Sequence, residues 1–457
     1  MTSFFSKIVS FLIVFSFLGV ADVFAATPKK KKNSFVSGYL TNRYKFRTTG
    51  DFSDHDLEDI LSLNFGNPNW DRVTGSLQGG IISDLNGDED TNVFSGINNA
   101  YSGDVVGRLY HAYVNINKLD PISYVRAGRQ HLQSIEHHYF DGVSFETIPF
   151  VGFVVSAFGG IPVHLYEKKL GTDVGDWIVG GGIQWNPVSI VRVKFDYSHI
   201  KDDDVGLRLS QGDQEDNLLG ASLWIDASKN FNVFGRLTSF SDELRDATLA
   251  ATLLFPEKSL TVRLQAYRLL ESYDIRVSDW DAMNFAGVYQ PYTEIGANLT
   301  KGLGKFFSID VGGAKRILDD AQSVSAFNHG FSRGYFSFLS QNFLIDGLST
   351  NAVFDYYHGE DNSLKNNSVG ASFSASQALF KKHKTLKDKD MKFTLGTAYY
   401  LYWYNLLTGN EESDVQTYFA EYGTKIIDNI KIVTRYELEH SELNAFHTGT
   451  FRFIWNF

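Results

Sequence analysis

The side chains able to do chemistry in this chain are basic residues placed at every second position. Arg43, Lys45 and Arg47 alternate in one stretch, and Arg192, Lys194 and Asp196 in another. Arg126, Arg263, Arg316, Lys431, Arg435 and Arg452 each stand among polar residues that alternate with apolar ones. Glu294, Asp310 and Glu437 occupy the same kind of position, and such carboxylates are fewer and scattered. If these positions face water inside a low-dielectric wall, the surplus of cations focuses a positive potential and favours anions, with arginine able to grip carboxylate or phosphate bidentately. The same residues have a blander use, in which Arg and Glu pair across neighbouring strands and merely hold the wall open. Spacing alone supports both readings.

Other constellations are weaker. Asp84, Asn86, Asp88 and Asp90 set oxygen ligands at alternate positions, like the opening of a calcium loop. Glu89 stands where such a loop needs glycine, and Ser95 where it needs a closing glutamate, so the segment reads as a solvated acidic loop and only a weak calcium candidate. His137, His138, His329 and His358 lack ligand spacing and read as loop residues. The chain has no Cys, which excludes disulfides, thiolate metal sites and cysteine nucleophiles. It carries no nucleophile elbow, P-loop or HExxH motif, so neither an enzyme nor a cofactor is expected. A net charge of −11 with no compensating basic patch argues against nucleic acid as a partner.

Strands must position these residues. In 36–47, Val36, Gly38, Leu40, Tyr44 and Phe46 face one way and the basic residues the other; 190–198, 260–267, 307–316, 392–403 and 430–439 repeat the pattern. Aromatics make up 15% of the chain, with 38 Phe and 23 Tyr, while Pro is scarce at 8 and Gly abundant at 40. Half-apolar strands average to an unremarkable hydropathy, and beyond residue 25 no run approaches the ~18 apolar residues of a membrane helix. Short connections such as 185–188, 255–258, 301–305 and 427–430 alternate with long acidic ones at 84–105, 200–216, 272–288, 318–330, 358–367 and 405–414. That rhythm predicts an all-β, antiparallel up-and-down transmembrane barrel of about 18–22 strands. The lysine-rich stretch 381–389 is long for its side, and 139–163 blurs the alternation.

No linker or shift in composition interrupts the pattern, so residues 36–457 read as one barrel. Residues 1–25 combine Lys7, a short apolar run and Val23-Phe24-Ala25, which make a secretory signal peptide. Residues 26–35, with Lys29 to Lys32, read as a short basic periplasmic tail that leaves no room for a plug.

At the end of the chain Phe451, Phe453, Trp455 and Phe457 share one strand face, opposite Thr448, Thr450, Arg452 and Asn456. This stretch resembles the closing strand of bacterial outer-membrane barrels, and the resemblance implies that Phe453, Trp455 and Phe457 form the signal read by the outer-membrane assembly machinery. A second likeness lies in Arg126-Ala127-Gly128-Arg129-Gln130, followed by Phe140-Asp141-Gly142. It resembles the R-x-G-R-Q … F-D-G pairing of porin-like barrels of the alginate-export type. Parity sets Arg129 with Val125 and Asp141 with Val143, which predicts a salt bridge at the outer end of a hairpin, worth little if exposed.

The expectation is therefore a Gram-negative outer-membrane porin, monomeric or homotrimeric, with passive diffusion of small hydrophilic or anionic solutes through a lumen lined by the basic and acidic residues above. Two rival uses of such a barrel are a sheath around a periplasmic partner, such as a multihaem cytochrome, and an exit port for a polysaccharide. A third, an enzyme sited on the outer rim, lacks a motif.

Overall fold

The computed structural model describes residues 35–50, 52–86, 105–135, 137–163, 175–202, 214–241, 243–271, 290–320, 330–359, 367–380, 383, 386–405, 410–442 and 444–457. The segments read as signal peptide and basic tail lie outside the described residues, apart from Phe35.

Twenty-two strands follow one another: β1 (Val36–Thr49), β2 (Phe52–Phe65), β3 (Val73–Asp84), β4 (Val105–Leu119), β5 (Ile122–Gln133), β6 (His137–Thr147), β7 (Phe153–Pro162), β8 (Trp177–Val188), β9 (Val191–Asp202), β10 (Gln214–Ser228), β11 (Phe231–Phe240), β12 (Glu243–Phe255), β13 (Leu260–Leu269), β14 (Tyr292–Leu303), β15 (Phe307–Leu318), β16 (Phe331–Gln341), β17 (Leu348–Gly359), β18 (Asn367–Ala378), β19 (Lys392–Asn405), β20 (Asn410–Ile427), β21 (Ile430–His440) and β22 (Ala445–Asn456). Each pairs antiparallel with the next, and β1 pairs with β22, so the sheet is closed. Closure leaves no unpaired edge, which is the condition for strands to cross lipid. The ambiguous stretch 139–163 resolves into most of β6 and all of β7.

Four long connections, 85–104, 163–176, 270–291 and 319–330, join strands at one end of the barrel, the end that also joins β5 to β6. The other end carries both edges of the closing seam and only short turns, apart from 379–391. That exception is tied down by a Lys425–Asp390 ion pair at 3.2 Å and by the Leu379 N–H donating to the Met391 carbonyl at 2.8 Å.

The register divides the sheet into two faces. Leu40, Tyr44, Phe451 and Trp455 lie in phase across the seam, and the same face carries exposed Phe195, Leu249, Ile295 and Phe354. The opposite face carries most of the charged residues. An apolar exterior around a polar interior inverts the plan of a soluble protein and matches a barrel immersed in lipid.

Candidate functional site

Register places every basic and acidic residue expected to line the lumen on the inner face, where most find partners. Arg43 lies 2.7 Å from Glu58, and Arg47 pairs with Asp54 and, at 3.6 Å, with Asp56. Lys194 meets Asp196 at 2.9 Å. Arg316 binds Glu294 at 2.8 Å while its guanidinium stacks on Tyr292 and Phe331, 4.3 and 4.9 Å from the ring centres. Arg435 pairs with Glu437 at 2.5 Å, approaches Glu421 at 3.9 Å and covers the Phe419 ring at 4.2 Å. Asp310 accepts from the Asn298 amide and, at 3.3 Å, from the Tyr335 hydroxyl.

A second group of cations has no carboxylate within 4.0 Å among the described residues. Arg126 donates to Asn115 at 2.8 Å and stacks on Tyr113, and Arg192 stacks on Trp224 at 4.3 Å. Arg263 faces Thr252 and Asn298 across its two strand pairs. Lys45 stands between Thr450 and Asp56 in register without closing an ion pair, Arg452 stands opposite Arg43, and Lys431 opposite Lys425. The basic surplus is thus concentrated at single positions within a wall that is otherwise neutralised pairwise. Sequence reading missed the carboxylates Asp54, Asp56 and Glu58, and also Arg333, which pairs with the inward Asp355 at 2.5 Å.

The inner face also carries a constriction that sequence reading did not foresee. The β5–β6 hairpin bends inward at its tip, so that Ile135 packs against the bare backbone of Gly220 on β10 and is 4% exposed. A Cβ at Gly220 would lie 2.7 Å from the Ile135 side chain, so glycine is what admits the tip. Arg236 on β11 donates to the Ile135 carbonyl and fastens it there. Beneath the tip the inward side chains of β6 to β8, Phe140, Phe158 and Ile178, pack together with Leu132 and Ile200.

The R-x-G-R-Q … F-D-G residues build this hairpin from both sides. Inside, buried Gln130 donates to the Gly142 carbonyl at 3.1 Å and accepts from the Ser144 hydroxyl at 2.6 Å. Gly128 has φ +124°, and a Cβ there would lie 2.2 Å from the Ala112 carbonyl oxygen, so only glycine allows β4 and β5 to approach this closely. Outside, Arg129 and Asp141 form two parallel hydrogen bonds of 2.8 and 2.7 Å. The pairing follows the expected parity, but its setting does not. The two side chains are only 4% and 18% exposed, so this is a buried pair on the lipid-facing side and not a solvated rim bridge. The cause is a bulge in β4, where the register slips between Gln78 and Gly79. The Leu109 carbonyl beside the bulge accepts from Tyr139 at 2.7 Å and from Arg129 at 3.4 Å. A backbone carbonyl has no water to turn to within lipid, so the arginine and tyrosine supply its donors.

The remaining candidates are resolved in part. Asp88 and Asp90 lie outside the described residues. Asn86 already accepts from the His55 N–H at 2.8 Å, and its amide donates to the Ser53 carbonyl at 2.8 Å, so its side chain serves β2. Among the described residues no group of three His, Cys, Asp or Glu converges as metal ligands. His137 and His138 are not loop residues: they open β6, with His138 buried and His137 3.0 Å from His131. His358 belongs to β17, and His329 lies outside the described residues. The Trp455 and Phe457 rings meet at 5.0 Å, tilted by 53°, on the outer face, and Phe457 exchanges two backbone hydrogen bonds with Gly38 at 2.9 and 3.0 Å.

No family model matches the chain, and no curated protein does. Among solved structures it is similar to a BenF-like porin from Pseudomonas fluorescens Pf-5, with 10% identity, a TM-score of 0.47, and 93% of this chain and 99% of that one covered. It is also similar to OpdK of Pseudomonas aeruginosa with vanillate (10% identity, TM-score 0.45, coverage 92% and 98%) and to the P pilus usher PapC translocation pore (8%, 0.47, 92% and 99%). These scores are low, and the barrel's own faces carry the conclusion. A closed 22-strand antiparallel ring with an apolar exterior and a polar interior is a bacterial outer-membrane β-barrel.

Proposed function

We propose that the barrel is a passive channel for small hydrophilic solutes, with a preference for anions. The observation that carries this reading is the polar inner wall, in which ion pairs neutralise most charge and Lys45, Arg126, Arg192, Arg263, Lys431 and Arg452 are left without a carboxylate partner among the described residues. A solute in a water-filled lumen meets these cations as isolated sites of positive potential, each weak enough to release it again. The Ile135 tip narrows one side of the passage and sets an upper size. No step of bond making is required, so no catalytic residue is assigned.

The R-x-G-R-Q … F-D-G likeness supports the alginate-export-type subgroup, and the outward Phe453, Trp455 and Phe457 suit a signal for the assembly machinery. The width of a 22-strand ring keeps a second reading, a sheath around a periplasmic haem protein or a polysaccharide exit port. Single-channel recording of the refolded protein in a planar bilayer under a salt gradient separates these. Steady conductance with an anion-selective reversal potential is expected. A sealed bilayer from folded barrels would remove the channel reading and favour a filled lumen.

A further inference from the structure

One polar pair stands on the wrong face. Asn42 is the seventh residue of the 14 in β1 and Asp59 the eighth of 14 in β2, and the two are register partners on the outer face. Their row continues into Phe453 on one side and Ile81 on the other. Along the strands the outward neighbours are Leu40 and Leu61 below, Tyr44 and Leu57 above. The pair therefore sits at mid-height in an apolar belt, out of reach of lipid headgroups. Elsewhere the outer face keeps its charges near the rims, as with Arg268–Asp319, or locked to a counter-ion, as with Arg129–Asp141. Among the described residues Asp59 has only an amide: the Asn42 side chain donates to it at 2.6 Å. Asn42 keeps a second amide hydrogen, and Asp59 a second oxygen, with no partner among the described residues. Such groups are costly against hydrocarbon and mark a surface with another use.

We propose that this face is a two-fold interface between two copies of the barrel, an inference that rests on its reading as a membrane-embedded protein. The order of features around the wall supplies the reason. An aromatic ridge on β22 (Phe453, Trp455, Phe457) comes first, then Asn42, then Asp59, and then a groove floored by Gly75 and Ala112 between Phe65 and Val114. Ridge and groove both lie toward the end that holds the closing seam's termini. A two-fold axis parallel to the barrel and beside the pair sets each ridge against the other copy's groove. The same rotation brings Asn42 of each copy opposite Asp59 of the other, so the spare amide hydrogen finds the spare carboxylate oxygen twice. Isologous contact of this kind closes on itself and stops at a dimer. Both copies also keep the same end toward the same side of the membrane, as common insertion demands.

The absence of cysteine allows a direct test. Leu40→Cys reports on the proposed interface, and Leu249→Cys, exposed on β12 half-way round the ring, serves as control. A short bis-maleimide applied to intact outer membranes should link Leu40→Cys chains into a single dimer band and leave Leu249→Cys chains unlinked. Adding Asn42→Leu with Asp59→Leu should lower the linked fraction by about ten-fold, since each of the two lost membrane-buried hydrogen bonds is worth about three-fold. Conductance per barrel should stay at the wild-type value. Absent linkage at residue 40, equal linkage at 249, a ladder reaching trimers, or a dimer indifferent to the two leucines would each overturn the proposal. A dimer that behaves as expected from barrels that seal a bilayer would retain the interface and remove the channel.

Discussion

Between β5 and β11 the inner face of the barrel is filled, whereas between β14 and β22 it is more open among the described residues, with Val415 as the one inward side chain there at most 2% exposed. On the filled side Phe140, Gln130, Ser144, Ser198, Leu218 and Thr238 are all at most 2% exposed, and the Ile135 tip closes over them. On the open side Arg333 is 52% exposed although it is paired with Asp355, and Arg435 is 39% exposed beside Glu437. Both sides use the same alternation and similar ion pairs. What differs is whether a neighbouring segment covers the side chains, and that decides what a pair is worth. A covered pair is costly to break and fixes geometry, while a wet pair contributes little to stability and remains available to a passing solute.

The contrast can be broken most forcefully at Arg129. Arg129→Ala leaves Asp141 buried without its counter-charge and the Leu109 carbonyl short of a donor, and should destabilise the barrel by about 3–5 kcal/mol in urea unfolding from lipid vesicles. Arg129→Leu combined with Asp141→Leu should recover part of that loss, and a full loss from the double variant would show that the Leu109 carbonyl matters more than the pair. Next in size is Gly128→Ala, which forces a Cβ onto the Ala112 carbonyl at a positive φ and should cost about 1–3 kcal/mol or more in the same assay. Removing the tether with Arg236→Ala and Ile135→Gly should free the tip and raise single-channel conductance. An unchanged value would mean that the tip lies outside the conducting path. Arg263→Glu with Arg452→Glu should move the reversal potential toward cations, with little change in conductance. The smallest effect is expected at Arg333→Ala, within about 1 kcal/mol of wild type by urea unfolding, because water already screens the pair.

The strand pattern was legible because lipid and water impose period-2 alternation on almost every strand; β1 displays it without interruption on its polar side, and β9 and β21 break it only at Ile200 and Val433. The Arg129–Asp141 pairing was legible too, since parity alone puts both on one face. Its burial was not, because that depends on a one-residue slip in β4 and on Tyr139, neither of which alternation encodes. The constriction was hidden for a different reason. Ser134 and Ile135 look like any short turn, and only the contact with Gly220, far along the chain, gives them a role. Asn42 interrupts the apolar side of β1 at a single position, which a pattern of five apolar residues in phase easily absorbs.

The closing seam has a consequence for the order in which the barrel can be made. β1 and β22 lie at opposite ends of the described chain, so their pairing spans nearly the whole sequence. Arg43 and Arg452 stand directly opposite each other in that pairing, an arrangement that disfavours it unless one charge is already compensated. Glu58 provides the compensation, but only once β2 has folded back on β1. The hairpin should therefore form before the ring shuts, and Glu58→Gln should slow closure, read as delayed appearance of the compact, heat-modifiable band during insertion into vesicles. Until that moment two long strands present open hydrogen-bonding edges, the state in which a nascent chain is most prone to aggregate with its siblings.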